Sequence, residues 1–131
     1  MASIIEDYFA AADEADAEAC AALFTDDTVY QRQRLSDTGS IIPGMYELRG
    51  RAAVYHLLKT RSKSGYRHVM RSEARHGSEI FGEGYVQAPD GTITAIFLIS
   101  VTVTEAGLIS RSISIGSSAK GATVEPAPSP A

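Results

Sequence analysis

Two amphipathic helical segments that run directly into a strand are predicted at the start of the chain, and they constrain its fold more than any other feature. Ser3 and Glu6 have the spacing of a capping box, which starts a helix. The apolar side chains of that helix fall on one stripe, Ile5, Tyr8, Phe9 and Ala12. A second helix is predicted to begin at Asp16 and to bury Ala19, Cys20, Leu23 and Phe24. Threonine, valine and tyrosine at 28–30 then favour a strand.

The rest of the chain changes from a helical to an alternating pattern. A third helix is predicted over 50–61, and four strands at about 66–76, 78–88, 92–104 and 108–116. Asp90-Gly91 is a strong hairpin signal and Ala106-Gly107 a weaker one. Residues 35–49 are predicted to be a long connection. Helices followed by strands are typical of an α+β fold, in which helices cover one face of an antiparallel sheet.

Length and composition favour one soluble domain and argue against several classes of function. A chain of 131 residues fits a single core, and its net charge of −4 argues against a nucleic-acid surface, which needs clustered Lys and Arg. The longest apolar stretch, 95–99, is too short to span a bilayer, and 1–12 lacks the basic region of a secretory signal. We therefore expect a cytoplasmic protein without a membrane partner. Residues 118–131 contain three prolines and little apolar mass, so we expect a disordered tail after a domain at 1–117.

Several short runs, taken in order, resemble the nuclear transport factor 2-like superfamily. They are Tyr-Phe-Ala-Ala at 8–11, Ala-Leu-Phe-Thr-Asp-Asp at 22–27, Pro43, the opening of the third helix at 48–54, Arg-His-Val at 67–69 and Gly-Leu-Ile at 107–109. The superfamily includes SnoaL-like polyketide cyclases, ketosteroid isomerase, scytalone dehydratase and limonene epoxide hydrolase. The resemblance covers about residues 3–117. It implies a cone-shaped α+β barrel, with three N-terminal helices packed on a strongly curved, mostly antiparallel sheet and a ligand cavity between them.

His68 is the leading candidate for a catalytic residue, because a histidine can accept and donate a proton near neutral pH. Alternation along its strand places His68 and Met70 toward the helices, and Arg67 and Arg71 toward solvent. The resemblance implies the same role, since scytalone dehydratase and many SnoaL-like proteins carry a histidine at this strand position. The alternative is a core histidine tied to a backbone carbonyl.

Tyr8 and Gln31 are the other predicted catalytic residues, and both follow from the resemblance. Tyr8 matches the first-helix tyrosine that donates a hydrogen bond to the enolate oxygen in ketosteroid isomerase; alternatively it is an ordinary core tyrosine. Gln31 stands where that enzyme's general-base aspartate would be, and its amide can orient a carbonyl but cannot take a proton. Ketosteroid isomerisation is therefore not expected. The residues predicted to bind substrate are Tyr46, Met70, Phe97 and Arg111.

Two hypotheses of function follow. The first is a cofactor-independent enzyme, a lyase or isomerase, that cyclises, dehydrates or isomerises a small, largely apolar, oxygenated metabolite of polyketide or terpenoid type. His68 would move a proton while Tyr8 and Gln31 hold the developing oxyanion. The alternative is a non-catalytic small-ligand-binding or dimerisation domain of the same fold.

Neither hypothesis includes a metal or another cofactor. The sequence contains no Gly-rich phosphate loop, no Cys cluster and no His-x-x-x-His pair. A homodimer is expected in both cases, because the strand at 92–104 is apolar on one side and half-apolar on the other. One side would face the helices, and the other would meet a second copy of the sheet.

Overall fold

A six-stranded mixed sheet organises the chain in a computed structural model that describes residues 2–35 and 41–118. The helices are α1 (Ile4–Asp13), α2 (Ala17–Ala21) and α3 (Arg51–Lys59). The strands are β1 (Phe24–Leu35), β2 (Ile41–Arg49), β3 (Arg67–His76), β4 (Glu79–Gln87), β5 (Ile93–Val103) and β6 (Ile109–Ser118). Their order in the sheet is β2-β1-β6-β5-β4-β3, and the neighbours pair antiparallel except β1 and β6, which are parallel. The predicted α+β fold with a mostly antiparallel sheet is confirmed.

The start of α1 is held by the predicted capping box. The Glu6 amide donates to Ser3 Oγ at 3.1 Å, and the Ser3 amide donates to Glu6 Oε1 at 3.2 Å. The second helix is shorter than predicted, since α2 ends at Ala21 and Phe24 already belongs to β1. The buried residues of α2 are Ala17, Cys20 and Ala21. None of the helices described is long and apolar enough to cross a membrane.

The strand β2 was not predicted. The supposed long connection pairs with β1 as a hairpin, in which Tyr30 lies opposite Leu48 and Arg32 lies opposite Tyr46. A proline and a glycine at 43–44 gave this segment the composition of a turn, and an irregular register after Gln33 hid its alternation. Tyr46 is therefore a strand residue and does not lie in the long connection that the sequence predicted. The tail predicted to be disordered lies outside the described residues, except for Ser118 at the end of β6.

The helices cover one face of the sheet, here called the inner face. On β5 the buried side chains alternate along the strand: Phe97, Ile99, Val101 and Val103. Ile5 from α1 and Val54 and Leu58 from α3 complete the core above them. Between the buried positions, Ile96 and Leu98 are each 54% exposed on the opposite, outer face. The sheet thus has one covered face and one that is open in the single chain.

Two irregularities in strand pairing reverse the sides that simple alternation predicted. On β3 the register shifts between Met70 and Ser72, so Glu73 reaches the inner face and accepts a hydrogen bond from Ser3 Oγ at 2.7 Å. On β6 the register shifts beside Ile109, which is buried opposite Val103. Arg111 then pairs with Thr102 on the outer face and is exposed. The prediction that Arg111 points into the cavity is therefore wrong.

Cys20 is expected to be chemically inert in the folded protein. It is fully buried, and burial raises the pKa of its thiol to about 12. Because the thiolate is the reactive form, a thiol-specific disulfide reagent at mildly alkaline pH should leave Cys20 unmodified in buffer and react promptly in concentrated guanidinium. Fast labelling in buffer would show that α2 opens on the time scale of the reaction.

Candidate active site

His68 projects from β3 to the end of α1, where it is held by Asp13. Its Nδ1 lies 2.7 Å from Asp13 Oδ1, and its backbone amide donates to Asp13 Oδ2 at 2.7 Å. The side chains of His68 and Asp13 are 30% and 15% exposed. A carboxylate bound in this way selects the tautomer that carries its proton on Nδ1, which leaves Nε2 as the atom able to take a proton. The pair has the arrangement of a general base and the carboxylate that orients it.

Asp13 occupies a position that does not favour a carboxylate. It is the last residue of α1, whose final turn contains no basic residue. The negative end of the helix dipole disfavours an anion there by roughly 0.3–1 kcal/mol. His68 supplies the compensating donors from a strand that lies 55 residues further along the chain. The placement of Asp13 is therefore accounted for by its contact with His68.

Aromatic rings fix the plane of the His68 imidazole. The ring stacks on Phe9 at 4.3 Å between centroids and 6° between planes, and it lies 5.4 Å from the ring of Phe97. Phe9 and Phe97 also contact each other, at 4.9 Å. The histidine therefore has apolar walls on more than one side, with Asp13 at its Nδ1 edge. These contacts replace the predicted alternative of a histidine tied to a backbone carbonyl.

A cleft of ≈ 700 Å³ lies between α1 and β3, and His68 is part of its wall. Phe9, Asp13 and Met70 also line it. The histidine, its carboxylate partner and two apolar side chains therefore share one cleft. Besides Asp13, its charged lining residues are Glu6, Asp7, Glu14, Lys63 and Arg67. The cleft therefore combines the apolar side chains of Phe9, Val69 and Met70 with a largely charged rim. Of the predicted site residues, His68 and Met70 line the cleft, and Phe97 contacts the His68 ring from the core without being part of the lining.

Tyr8 and Tyr46 belong to a neighbouring group of side chains. The hydroxyls of Tyr8 and Tyr30 are 2.6 Å apart in the core, and burial, followed by the neighbouring Tyr30, raises the pKa of Tyr8 well above its ordinary value. The Arg32 guanidinium donates a hydrogen bond to Tyr30, and Tyr46 lies opposite Arg32 on β2. The two groups adjoin through Phe9, whose ring is 5.0 Å from that of Tyr8.

Gln31 lies on the outer face, away from Tyr8. Since Tyr30 points inward, the next residue on the strand points outward, and Gln31 Nε2 donates to Glu47 Oε1 at 2.8 Å. This bond and those from Arg49 lower the pKa of Glu47. The prediction that Gln31 shares an oxyanion site with Tyr8 is wrong. A match at one strand position does not determine the face of the sheet to which the side chain points. Asp13, Tyr30 and Arg32 are the site residues that sequence reasoning missed.

Metal ligation has no support among the residues described, where no three His, Cys, Asp or Glu side chains are grouped so as to hold an ion. Charged groups of the cleft form ion pairs within the chain, such as Lys63 Nζ with Glu14 Oε2 at 2.6 Å.

Comparison with known proteins identifies the fold. No protein-family model matches the chain, and no curated protein matches it significantly. Among solved structures, it is similar to a protein from Agrobacterium tumefaciens proposed to be an isomerase of the SnoaL-like family, with 21% identity, a TM-score of 0.67 and coverage of 86% of this chain and 92% of that one. A proposed ketosteroid isomerase from Kribbella flavida has 18% identity and a TM-score of 0.62, over 96% of this chain and 81% of that one.

A third similar structure is a proposed polyketide cyclase from Sinorhizobium meliloti, with 18% identity and a TM-score of 0.61 over 87% of this chain and 94% of that one. Other similar structures are NTF2-like proteins of unknown function. The fold predicted by resemblance, that of the nuclear transport factor 2-like proteins, is thus confirmed. At these identities the similarity establishes architecture, and the reaction has to be argued from the site.

Proposed function

Starting from the nuclear transport factor 2-like fold of this chain, we propose that it is a cofactor-independent enzyme that moves a proton on a small, largely apolar, oxygenated metabolite. The reaction would be an isomerisation, a dehydration or a cyclisation, as in a polyketide- or terpenoid-like substrate. The observation that carries the proposal is the His68–Asp13 pair in the wall of an open cleft. Similar structures proposed to be isomerases or polyketide cyclases support the same class.

In the proposed reaction His68 is the residue that exchanges the proton. Nε2 would take a proton from a carbon next to a carbonyl group, and Asp13 would compensate the charge that the ring acquires. The same Nε2 would return the proton to another atom of the substrate. The apolar surfaces of Phe9 and Phe97 limit access of water to the ring, which favours proton transfer to carbon over exchange with solvent.

Tyr8 has a supporting role in the proposal. Burial raises its pKa, so it stays a neutral phenol at physiological pH and can donate a hydrogen bond to a developing oxyanion. Its hydroxyl is already paired with that of Tyr30, and a chain of two hydroxyls polarises the terminal donor. Gln31 has no part in this proposal because it lies on the other face of the sheet.

A probe reaction tests the proposal without knowledge of the natural substrate. In 5-nitrobenzisoxazole a base takes one carbon-bound proton, the carbon–nitrogen bond becomes a nitrile, and the nitrogen–oxygen bond breaks to leave a coloured phenolate. The protein should open this ring faster than free imidazole at the same concentration, because the base is held in position by Asp13 and by the aromatic rings beside it. A rate equal to that of imidazole would favour the alternative, a non-catalytic ligand-binding or dimerisation domain.

The outer face of the sheet supports a second proposal, a homodimer. Ile96, Leu98, Phe81 and Ile115 are each 45–54% exposed on this face, and Leu98 pairs directly with Ile115. Several large apolar side chains exposed on one sheet face favour an interface. Light scattering should give twice the chain mass of 14.0 kDa, and Leu98→Glu should give the monomer mass. Ser62→Glu, an exposed change beyond α3, is the control; a monomeric wild-type protein at micromolar concentration would contradict the proposal.

A further inference from the structure

We propose that a second site, on the inner face beside the β1–β2 hairpin, binds the carboxylate group of an apolar organic acid. It is called here the arginine–tyrosine site and consists of Tyr8, Tyr30, Arg32, Tyr46 and Arg61. It shares Tyr8 with the proposed catalytic site but differs from the His68–Asp13 pair in its chemistry, since it needs no proton transfer. Recognition of a carboxylate here does not depend on the enzyme activity proposed above.

Strand register brings the polar groups of this site together. Arg32 on β1 lies opposite Tyr46 on β2, and its partner on the other side is Ser114 of β6. Tyr30 is two residues before Arg32 and so shares its face, where it accepts a hydrogen bond from the guanidinium. Arg61, just after α3, lies near Tyr46, where its positive charge opposes the rise in the pKa of Tyr46 that burial causes. Two guanidinium groups and several hydroxyls therefore converge from the sheet and from α3.

The two arginines have no carboxylate partner among the residues described. The ion pairs found there are Arg49–Glu47, Arg51–Asp26, Lys63–Glu14 and His68–Asp13. Arg32 and Arg61 are nevertheless half-buried, where an isolated charge is unfavourable. Burial disfavours the Arg32 cation, but the nearby Tyr30, Tyr8 and Tyr46 outweigh it and the pKa of Arg32 is raised. At neutral pH these phenols accept hydrogen bonds without neutralising either charge, so an anion would complete the site.

An unpaired hydroxyl lies next to this group. Ser112 Oγ is buried and has no hydrogen-bond partner within the described part of the chain. The register places Ser112 directly beside Tyr30 on the inner face. Buried hydroxyls are almost always bonded, so this unpaired hydroxyl beside Tyr30 is a position where a further polar partner would be favourable.

The chemistry of the site favours a carboxylate over a phosphate. The planar guanidinium group matches the two oxygens of a carboxylate, and tyrosine hydroxyls add donors at its edges. Behind them the rings of Tyr8, Tyr30 and Phe24 pack on one another in the core at 5.8–6.3 Å. Beside them Leu48, opposite Tyr30 on β2, is an apolar side chain that is only partly buried and is suited to contact a hydrocarbon or aromatic body. A phosphate has more charge and a third oxygen to satisfy, and its usual partners are backbone amides at a glycine-rich loop or helix start.

The test is calorimetric titration of the full chain with 2-naphthoate, and with its neutral isostere 2-naphthamide. We expect 2-naphthoate to bind, 2-naphthamide to bind much more weakly, and Arg32→Gln to weaken 2-naphthoate by about 10- to 100-fold, the range for losing a charged hydrogen bond. Arg61→Gln and Tyr46→Phe, both at half-buried positions, give the same readout if Arg32→Gln does not fold. Arg49→Gln, an exposed arginine on the outer face of β2, is the matched control and should bind as the wild type does.

Two results would overturn the proposal. Equal affinity for the acid and the amide, or an equal loss in Arg49→Gln, would show that the charge of this site is not recognised. If inorganic phosphate binds as tightly as 2-naphthoate and displaces it, the site binds anions in general and is not specific for a carboxylate. Because ring opening of 5-nitrobenzisoxazole is not part of this measurement, failure here does not affect the test of His68, and failure there does not affect this one.

Discussion

His68→Gln is expected to slow the opening of 5-nitrobenzisoxazole by about 10² to 10⁴, the usual contribution of a positioned proton-transfer group. Glutamine keeps a polar side chain of similar reach but cannot take a proton at physiological pH. Folding should be largely retained, because the imidazole is 30% exposed and its backbone amide still donates to Asp13. The measurement is the initial rate of phenolate formation, with far-ultraviolet circular dichroism as the check on folding.

Asp13→Asn tests the pair rather than the histidine alone. The asparagine amide can donate to Nδ1 and select the other tautomer, with the proton on Nε2, so the rate should fall although His68 is intact. A purely structural role for Asp13 would leave the pH–rate profile unchanged, whereas an orienting role changes it. His76→Gln, an exposed histidine on the same strand, is the control and should keep the wild-type rate.

Other outcomes would count against the enzyme. If His68→Gln retains the full rate, the base lies elsewhere or the cleft is not catalytic. If it unfolds the chain, the imidazole holds β3 to α1, and the alternative of a core histidine is the better account. A lowered melting temperature with an unchanged rate gives the same conclusion, since packing would then be the only contribution of the ring.

Local patterns accounted for the helix layer and for His68. The capping box at Ser3 and the apolar stripe of α1 are local properties of the sequence. The alternation of β3 up to Met70, which places His68 on the inner face, is also local. The missed residues depend on contacts between distant parts of the chain. Asp13 reads as an ordinary helix-end residue until β3, 55 residues later, places His68 against it. An acidic residue at a helix end without a basic neighbour was the available signal.

Strand sides were the least predictable property, for a physical reason. A single extra residue in one strand moves every later side chain to the other face. This happened beyond Met70 on β3, so Glu73 faces the helices. It also happened on β6, where Arg111 went to the outer face. The prediction for Gln31 failed for a different reason. It followed from the resemblance to ketosteroid isomerase and did not consider that Tyr30 points inward, which turns the next residue outward.

Gly84→Ala is expected to destabilise the chain by about 3 kcal/mol or more, at the upper end of the range for overpacking a core. Gly84 pairs with Met70 on one side and Phe97 on the other. A methyl group there would overlap the carbonyl oxygen of Val69 and lie 2.7 Å from Phe97 Cζ. A backbone carbonyl in a strand ladder cannot turn aside, so β3 and β4 would have to separate.

Gly82→Ala is the matched control, because its new methyl group would meet only the far end of a side chain. The overlapping atom is Met70 Cε, which can rotate away, and the next neighbour, Ile99 Cγ2, is at 3.4 Å. Denaturant titration should therefore give Gly82→Ala a loss of about 1 kcal/mol, well below that of Gly84→Ala. Gly84→Ala should also reduce ring opening, since Phe97 lies 5.4 Å from the His68 ring. Equal losses of stability would mean that β3 and β4 adjust freely, and the fixed position of His68 would then have to depend on Phe9 and Asp13 alone.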